Sequence, residues 1–97
     1  MTGWTLESAD PAVTLRLPVG ASKTVGRAAE ADFILEAPLV SRVHCRLTAK
    51  SADQLHVEDL GSTNGIIVNG QRVDRTTLKA GDTLMIGRVA LTIAQQT

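Results

Sequence analysis

Three short stretches hold the polar residues capable of specific chemistry: Val25-Gly26-Arg27, Leu39-Val40-Ser41-Arg42-Val43-His44 and Asp59-Leu60-Gly61-Ser62-Thr63-Asn64-Gly65. Arg27 and Arg42 bring planar, permanently charged forks that match the oxygens of a phosphate. Ser41 and Thr63 add short hydroxyl donors for oxygens the guanidinium groups miss. Backbone N–H groups in tight loops can complete an anion-binding concavity. Asn64 carries a donor and an acceptor, so it can hold a peptide main chain by both its N–H and its C=O. Together these residues suit a dianion of fixed geometry carried on a chain. Each stretch has a blander reading when taken alone. A Gly-Arg after a strand is commonly a turn with a solvated arginine, SRVH suits a capped loop with a hydrogen-bonded core histidine, and GSTNG makes a good turn.

The elements that must position these loops have a period of two. Val13, Leu15 and Leu17 alternate with Thr14 and Arg16, and Cys45, Leu47 and Ala49 with Arg46 and Thr48. Leu55 and Val57 flank His56, and Val89, Leu91 and Ile93 flank Ala90 and Thr92. Short runs of that period are strands with one buried face. Turn signals separate them, including Asp10-Pro11, Pro18-Val19-Gly20, Asn69-Gly70 and Ala80-Gly81-Asp82. Asn69-Gly70 reads as a two-residue hairpin turn, since both residues tolerate positive φ. No apolar stripe has helical spacing. The spacing predicts strands near 4–8, 12–17, 22–26, 32–35, 44–50, 54–59, 66–68, 71–73, 76–78, 83–86 and 89–94. The expected fold is all-β, a small β-sandwich of two sheets.

Length and composition bound the rest. The 97 residues make one domain, 1–97, which can also be a piece cut from a longer protein. With Trp4 and Phe33 the only aromatics, the core must be mainly aliphatic. Ten basic and ten acidic side chains cancel. That balance argues against a broad electrostatic footprint for nucleic acid or anionic lipid. The one cysteine, Cys45, allows no intrachain disulfide and no cysteine-based metal set; it reads as a small buried hydrophobe. The start has neither a basic nor an apolar signal region, and no apolar run approaches the roughly 20 residues of a membrane span. The expected location is the cytoplasm, with no membrane insertion.

Taken in order, GR at 26–27, SRVH at 41–44, DLGSTNG at 59–65, VNG at 68–70 and GDTLMIG at 81–87 follow one pattern. The chain resembles the forkhead-associated (FHA) domain family from about Leu15 to Ile93. The resemblance implies an eleven-stranded sandwich with binding loops at one end. It also implies selectivity for phosphothreonine over phosphoserine, through a small pocket for the threonine methyl. By position, Arg27, Ser41, Arg42 and Thr63 would contact the phosphate and Asn64 the peptide main chain. Gly26, His44 and Gly65 would shape the loops, with His44 bracing the one that presents Ser41. Ile66-Ile67 stand where many members carry threonine and an aromatic, which bears on packing more than on phosphate chemistry. Leu39 lies where some members carry a charged residue that reads the third position after the phosphothreonine. An apolar residue there does not support an acidic preference.

The expected function is a phosphothreonine-dependent interaction module. Its partner would be a protein phosphorylated by a Ser/Thr kinase, in trans or within its own parent chain. No cofactor or metal is implied. The alternative of the same fold is a phospho-independent scaffold or dimerisation domain. Catalysis is the poorer reading. Ser41, His44 and Asp59 have the letters of a triad and Cys45 with His56 those of a thiol pair, but Ser41 lacks a nucleophile-elbow context. The two histidines show neither HxH nor HExxH spacing.

Overall fold

A computed structural model describes residues 2–96; the first and last residues of the expected 1–97 domain lie outside the described residues. The alternating pattern forms strands throughout: β1 (Gly3–Ala9), β2 (Ala12–Pro18), β3 (Ser22–Gly26), β4 (Phe33–Ile34), β5 (Cys45–Ala49), β6 (Leu55–Asp59), β7 (Ile66–Val68), β8 (Gln71–Val73), β9 (Arg75–Leu78), β10 (Thr83–Ile86) and β11 (Val89–Gln96). They make a six-stranded sheet in the order β2-β1-β11-β10-β7-β8 and a five-stranded sheet in the order β4-β3-β5-β6-β9. All pairings are antiparallel except β3 with β4. No helix occurs among the described residues, so none is long and apolar enough to cross a membrane.

Register explains why the two sheets meet face to face. In the first sheet Leu6 lies opposite Leu15 on one side and Ile93 on the other, and Leu84 opposite Leu91 and Val68. In the second, Val25 faces Cys45, Leu47 faces Val57, and Leu55 faces Ala49 and Leu78. All of these are buried. Each fully buried large aliphatic side chain contributes about 1.5–3 kcal/mol relative to exposure. Trp4, 1% exposed, joins this otherwise aliphatic core and donates its indole N–H to the Ser51 carbonyl at 3.0 Å. That bond ties the first sheet to the β5–β6 turn.

The eleven strands match the expected ones apart from their ends. In proportion to its length the largest difference is β4, two residues rather than four. Asp32 is taken out of the strand because its carboxylate accepts the Thr24 N–H and hydroxyl, while its own N–H donates to Thr24 Oγ1. The Asn69-Gly70 turn has φ of 50° and 84°, the positive values a two-residue hairpin needs. The Asn69 side chain also bonds Asp82 Oδ1 and the Thr83 N–H, joining this turn to the one before β10.

Two predictions follow from burial and charge. Burial, with a smaller push from the Asp59 charge, raises the Cys45 thiol to about 12. A thiol reagent should therefore leave the native protein unlabelled at neutral pH and label it once denaturant unfolds it; rapid native labelling would place Cys45 outside the core. The Asp82 carboxyl is held below its ordinary 3.8, first by the Asn69 amide and then by the Lys79 N–H. A carboxylate with a lowered folded pKa stabilises fully above the unfolded value, and that share is lost as pH falls through the folded one. Unfolding midpoints should drop below about pH 4, and Asp82→Asn should flatten part of that drop.

Candidate functional site

The strand ends decide which loops meet. Because Val25 pairs with Cys45 and Cys45 with Asp59, the segments leaving β3, entering β5 and leaving β6 emerge side by side. The backbone locks the first two together. Arg27 N–H donates to Ser41 O at 2.9 Å, Ala28 N–H to Arg42 O at 3.0 Å, and His44 N–H to Val25 O at 2.8 Å. Gly26 permits this contact, since a Cβ there would lie 2.2 Å from the Arg42 carbonyl oxygen.

His44 fastens the third loop. Its ring is fully buried, and Nδ1 accepts the Ser41 N–H at 2.9 Å. That acceptor role leaves the proton on Nε2, which donates to the Gly65 carbonyl at 2.7 Å. One imidazole thus joins the loop before β5 to the loop before β7, and so one sheet to the other. Asp59 builds the third loop from within. Its carboxylate accepts the N–H groups of Gly61 and Ser62 and the Ser62 hydroxyl, and Ser62 Oγ in turn accepts the Gly65 N–H at 2.8 Å. Gly65 has φ 74°, and a Cβ there would meet the Arg72 guanidinium at 2.5 Å.

On this frame the polar side chains take distinct postures. Ser41 Oγ accepts the Thr63 N–H at 3.1 Å, which leaves its own proton free to donate outward. Arg27 anchors through Nε to the Val40 carbonyl at 3.1 Å, and its terminal nitrogens have no hydrogen-bond partner among the described residues. Thr63 is exposed. Beside Arg27 lies an open concavity of about 450 Å³ lined by Arg27, Glu36, Ala37 and Pro38. Asn64 donates from Nδ2 to the Leu39 carbonyl at 3.0 Å, keeping its oxygen and second N–H open. Arg42 is turned aside, with Nη2 2.9 Å from Glu30 Oε1.

The structure therefore gathers Arg27, Ser41, Thr63 and Asn64 on three adjoining loops, with Gly26, His44 and Gly65 at the joints. Arg42 shares the loop, but its charge is engaged elsewhere. Sequence reading did not find Glu30, whose partner lies twelve positions away in another loop. Nor did it find that Leu39, 48% exposed, has φ 69°. The Leu39 carbonyl both accepts from Asn64 and lies 3.0 Å from where a Cβ of Gly87 would be, so the loop before β5 also leans on the β10–β11 turn.

A two-sheet sandwich with a polar loop cluster at one end, cationic at Arg27, defines a protein-interaction module. The chain belongs to the FHA domain family, whose model matches residues 23–87. FHA domains are non-catalytic interaction modules. Among its relatives is the ABC transporter ATP-binding/permease protein Rv1747 of Mycobacterium tuberculosis, 38% identical over 85 residues. That match covers 88% of this chain, and the chain spans 10% of the relative's length. The FHA domain of the CT664 protein of Chlamydia trachomatis superposes with a TM-score of 0.89 at 26% identity, covering 98% of this chain and 99% of that one. An FHA domain studied for phosphothreonine-dependent interactions superposes at 0.87 with 30% identity, covering 98% of both chains.

The frame makes two substitutions informative, with Trp4 fluorescence as the unfolding signal. His44→Ala leaves the Ser41 N–H and Gly65 C=O without partners and should cost about 2–4 kcal/mol in chemical denaturation. Gly26→Ala should cost about 1–3 kcal/mol, because backbone rather than a side-chain end must move. Wild-type midpoints in either variant would show that the loops are not held by these contacts.

Proposed function

We propose that this chain, as one module spanning 1–97, binds a phosphothreonine-containing segment of a partner protein on the Arg27, Ser41, Thr63 and Asn64 cluster. The observation that carries the reading is the pair Arg27 and Ser41. Both side chains are anchored by one atom and left with donors free, so little ordering remains when a ligand arrives. In the bound state Arg27 and the Ser41 hydroxyl donate to phosphate oxygens, with Thr63 donating beside them and Arg42 added once it leaves Glu30. Asn64 then has its open amide oxygen and second N–H for the peptide main chain.

The similarity to an FHA domain with phosphothreonine-dependent interactions supports the same ligand class. So do magnitudes. Charge-assisted hydrogen bonds contribute about 1.5–3 kcal/mol each, while association costs about 4 kcal/mol or more. Four or five such bonds leave a modest affinity that disappears with the phosphate. A kinase then switches the contact on and a phosphatase switches it off. The cytoplasm is where such enzymes and their substrates would meet this module.

Calorimetric titration with a degenerate phosphothreonine peptide, its phosphoserine counterpart and the unphosphorylated form tests the proposal. Binding should be confined to the phosphothreonine form. Arg27→Ala should lose at least about tenfold in affinity, the equivalent of one charge-assisted bond, and still unfold cooperatively. Affinity should also fall as pH drops through about 6, where the phosphate takes up its second proton. Equal binding of phosphorylated and unphosphorylated peptides would instead support a scaffold of the same fold.

A further inference from the structure

Glu30 has no part in the cluster just described, yet it holds Arg42, the arginine that would join that cluster when a phosphate arrives. The main chain fixes the arrangement. Ala28 N–H donates to Arg42 O, and Ala31 N–H closes back on Ala28 O at 3.1 Å, so the turn bearing Glu30 is pinned against the residue it pairs with. Its carboxyl is held below the ordinary value, first by its own backbone N–H and then by Arg42. Both partners remain open to solvent, with side chains 69% and 63% exposed for Arg42 and Glu30.

An exposed pair of this kind is weak and exchanges readily. A phosphate dianion offers Arg42 twice the charge of a carboxylate, so it wins the exchange. The exchange leaves Glu30 near the new dianion with its cation withdrawn, and neighbouring like charges repel. A second cation beside Glu30 relieves the conflict, and among the described residues Glu30 makes no ion pair other than the one with Arg42. A basic residue of the ligand, next to the phosphorylated one, is placed to supply it.

We infer that Glu30 is a specificity-determining residue: it neutralises Arg42 in the empty site and, once phosphate takes Arg42, engages a lysine or arginine flanking the phosphothreonine. This rests on the phosphothreonine reading above. It gives the module a preference for phosphorylated segments with basic neighbours, through partner exchange among four charges.

The test is a titration matrix at fixed ionic strength. Phosphothreonine peptides with lysine, alanine or glutamate scanned through the flanking positions meet wild-type protein, Glu30→Gln, Glu30→Lys and the control Asp53→Asn. Asp53 lies in the β5–β6 turn, at the far end of β5 from the site, and removing it changes net charge equally. At one or more flanking positions the wild type should favour lysine over alanine by about two- to fivefold, the scale of an exposed ion pair. Glu30→Gln should abolish that ratio, Glu30→Lys should invert it toward glutamate, and Asp53→Asn should keep it. The same ratio in Glu30→Gln as in wild type, or equal loss in Asp53→Asn, overturns the inference while leaving phosphothreonine binding intact. Absence of binding to every phosphothreonine peptide overturns the underlying reading, and the inference with it.

Discussion

The buried imidazole of His44 is the constraint on which the loop end of this sandwich depends. A neutral ring has one acceptor and one donor nitrogen, and both are used, by the Ser41 N–H and the Gly65 carbonyl. Neither an amide nor a hydroxyl at this position would span both groups with the same rigidity. Because Ser41 precedes a strand of one sheet and Gly65 a strand of the other, the bridge fastens the third loop to the first two, which backbone hydrogen bonds already hold together, and makes one surface. Buried polar groups left unpaired are costly, so the contact is specified as well as stable.

What the frame achieves is division of labour within single residues. Ser41 gives its N–H to His44, its carbonyl to the Arg27 N–H and its oxygen lone pair to Thr63, and keeps only the hydroxyl proton for a ligand. Arg27 uses Nε for position and reserves its terminal nitrogens. Asn64 uses one amide proton on Leu39 and holds the rest of its amide open. The unused donors are those whose geometry the protein has already fixed, which is how a neutral domain can carry a selective anion site without a basic face. Arg42 is the exception, since its charge is balanced before any ligand arrives.

Much of the fold was legible in the sequence, and the reasons are local. Period-two alternation fixes the inward face of Cys45, Leu47 and Ala49, and Asn69-Gly70 dictates its own turn. At the start of β4 a side chain competes with the ladder, as Asp32 folds onto Thr24. That Arg27, Ser41, Thr63 and Asn64 sit in loops was legible, because short motifs with fixed offsets encode tight turns. Contacts between loops were not legible. The Arg42–Glu30 pair and the Asn64–Leu39 bond join segments whose separation in sequence carries no pattern, and Leu39 takes a positive φ that no leucine announces.

The claim that these loops form one phosphate-reading surface is tested most directly by amide chemical-shift mapping of the isotope-labelled protein. A phosphothreonine peptide and its dephosphorylated twin would be titrated in parallel. The account predicts perturbations concentrated at Arg27, Ser41, Arg42 and Thr63 with the phosphorylated peptide and none there with its twin. Shifts confined to the outer faces of the sheets, or the same shifts with both peptides, would contradict it.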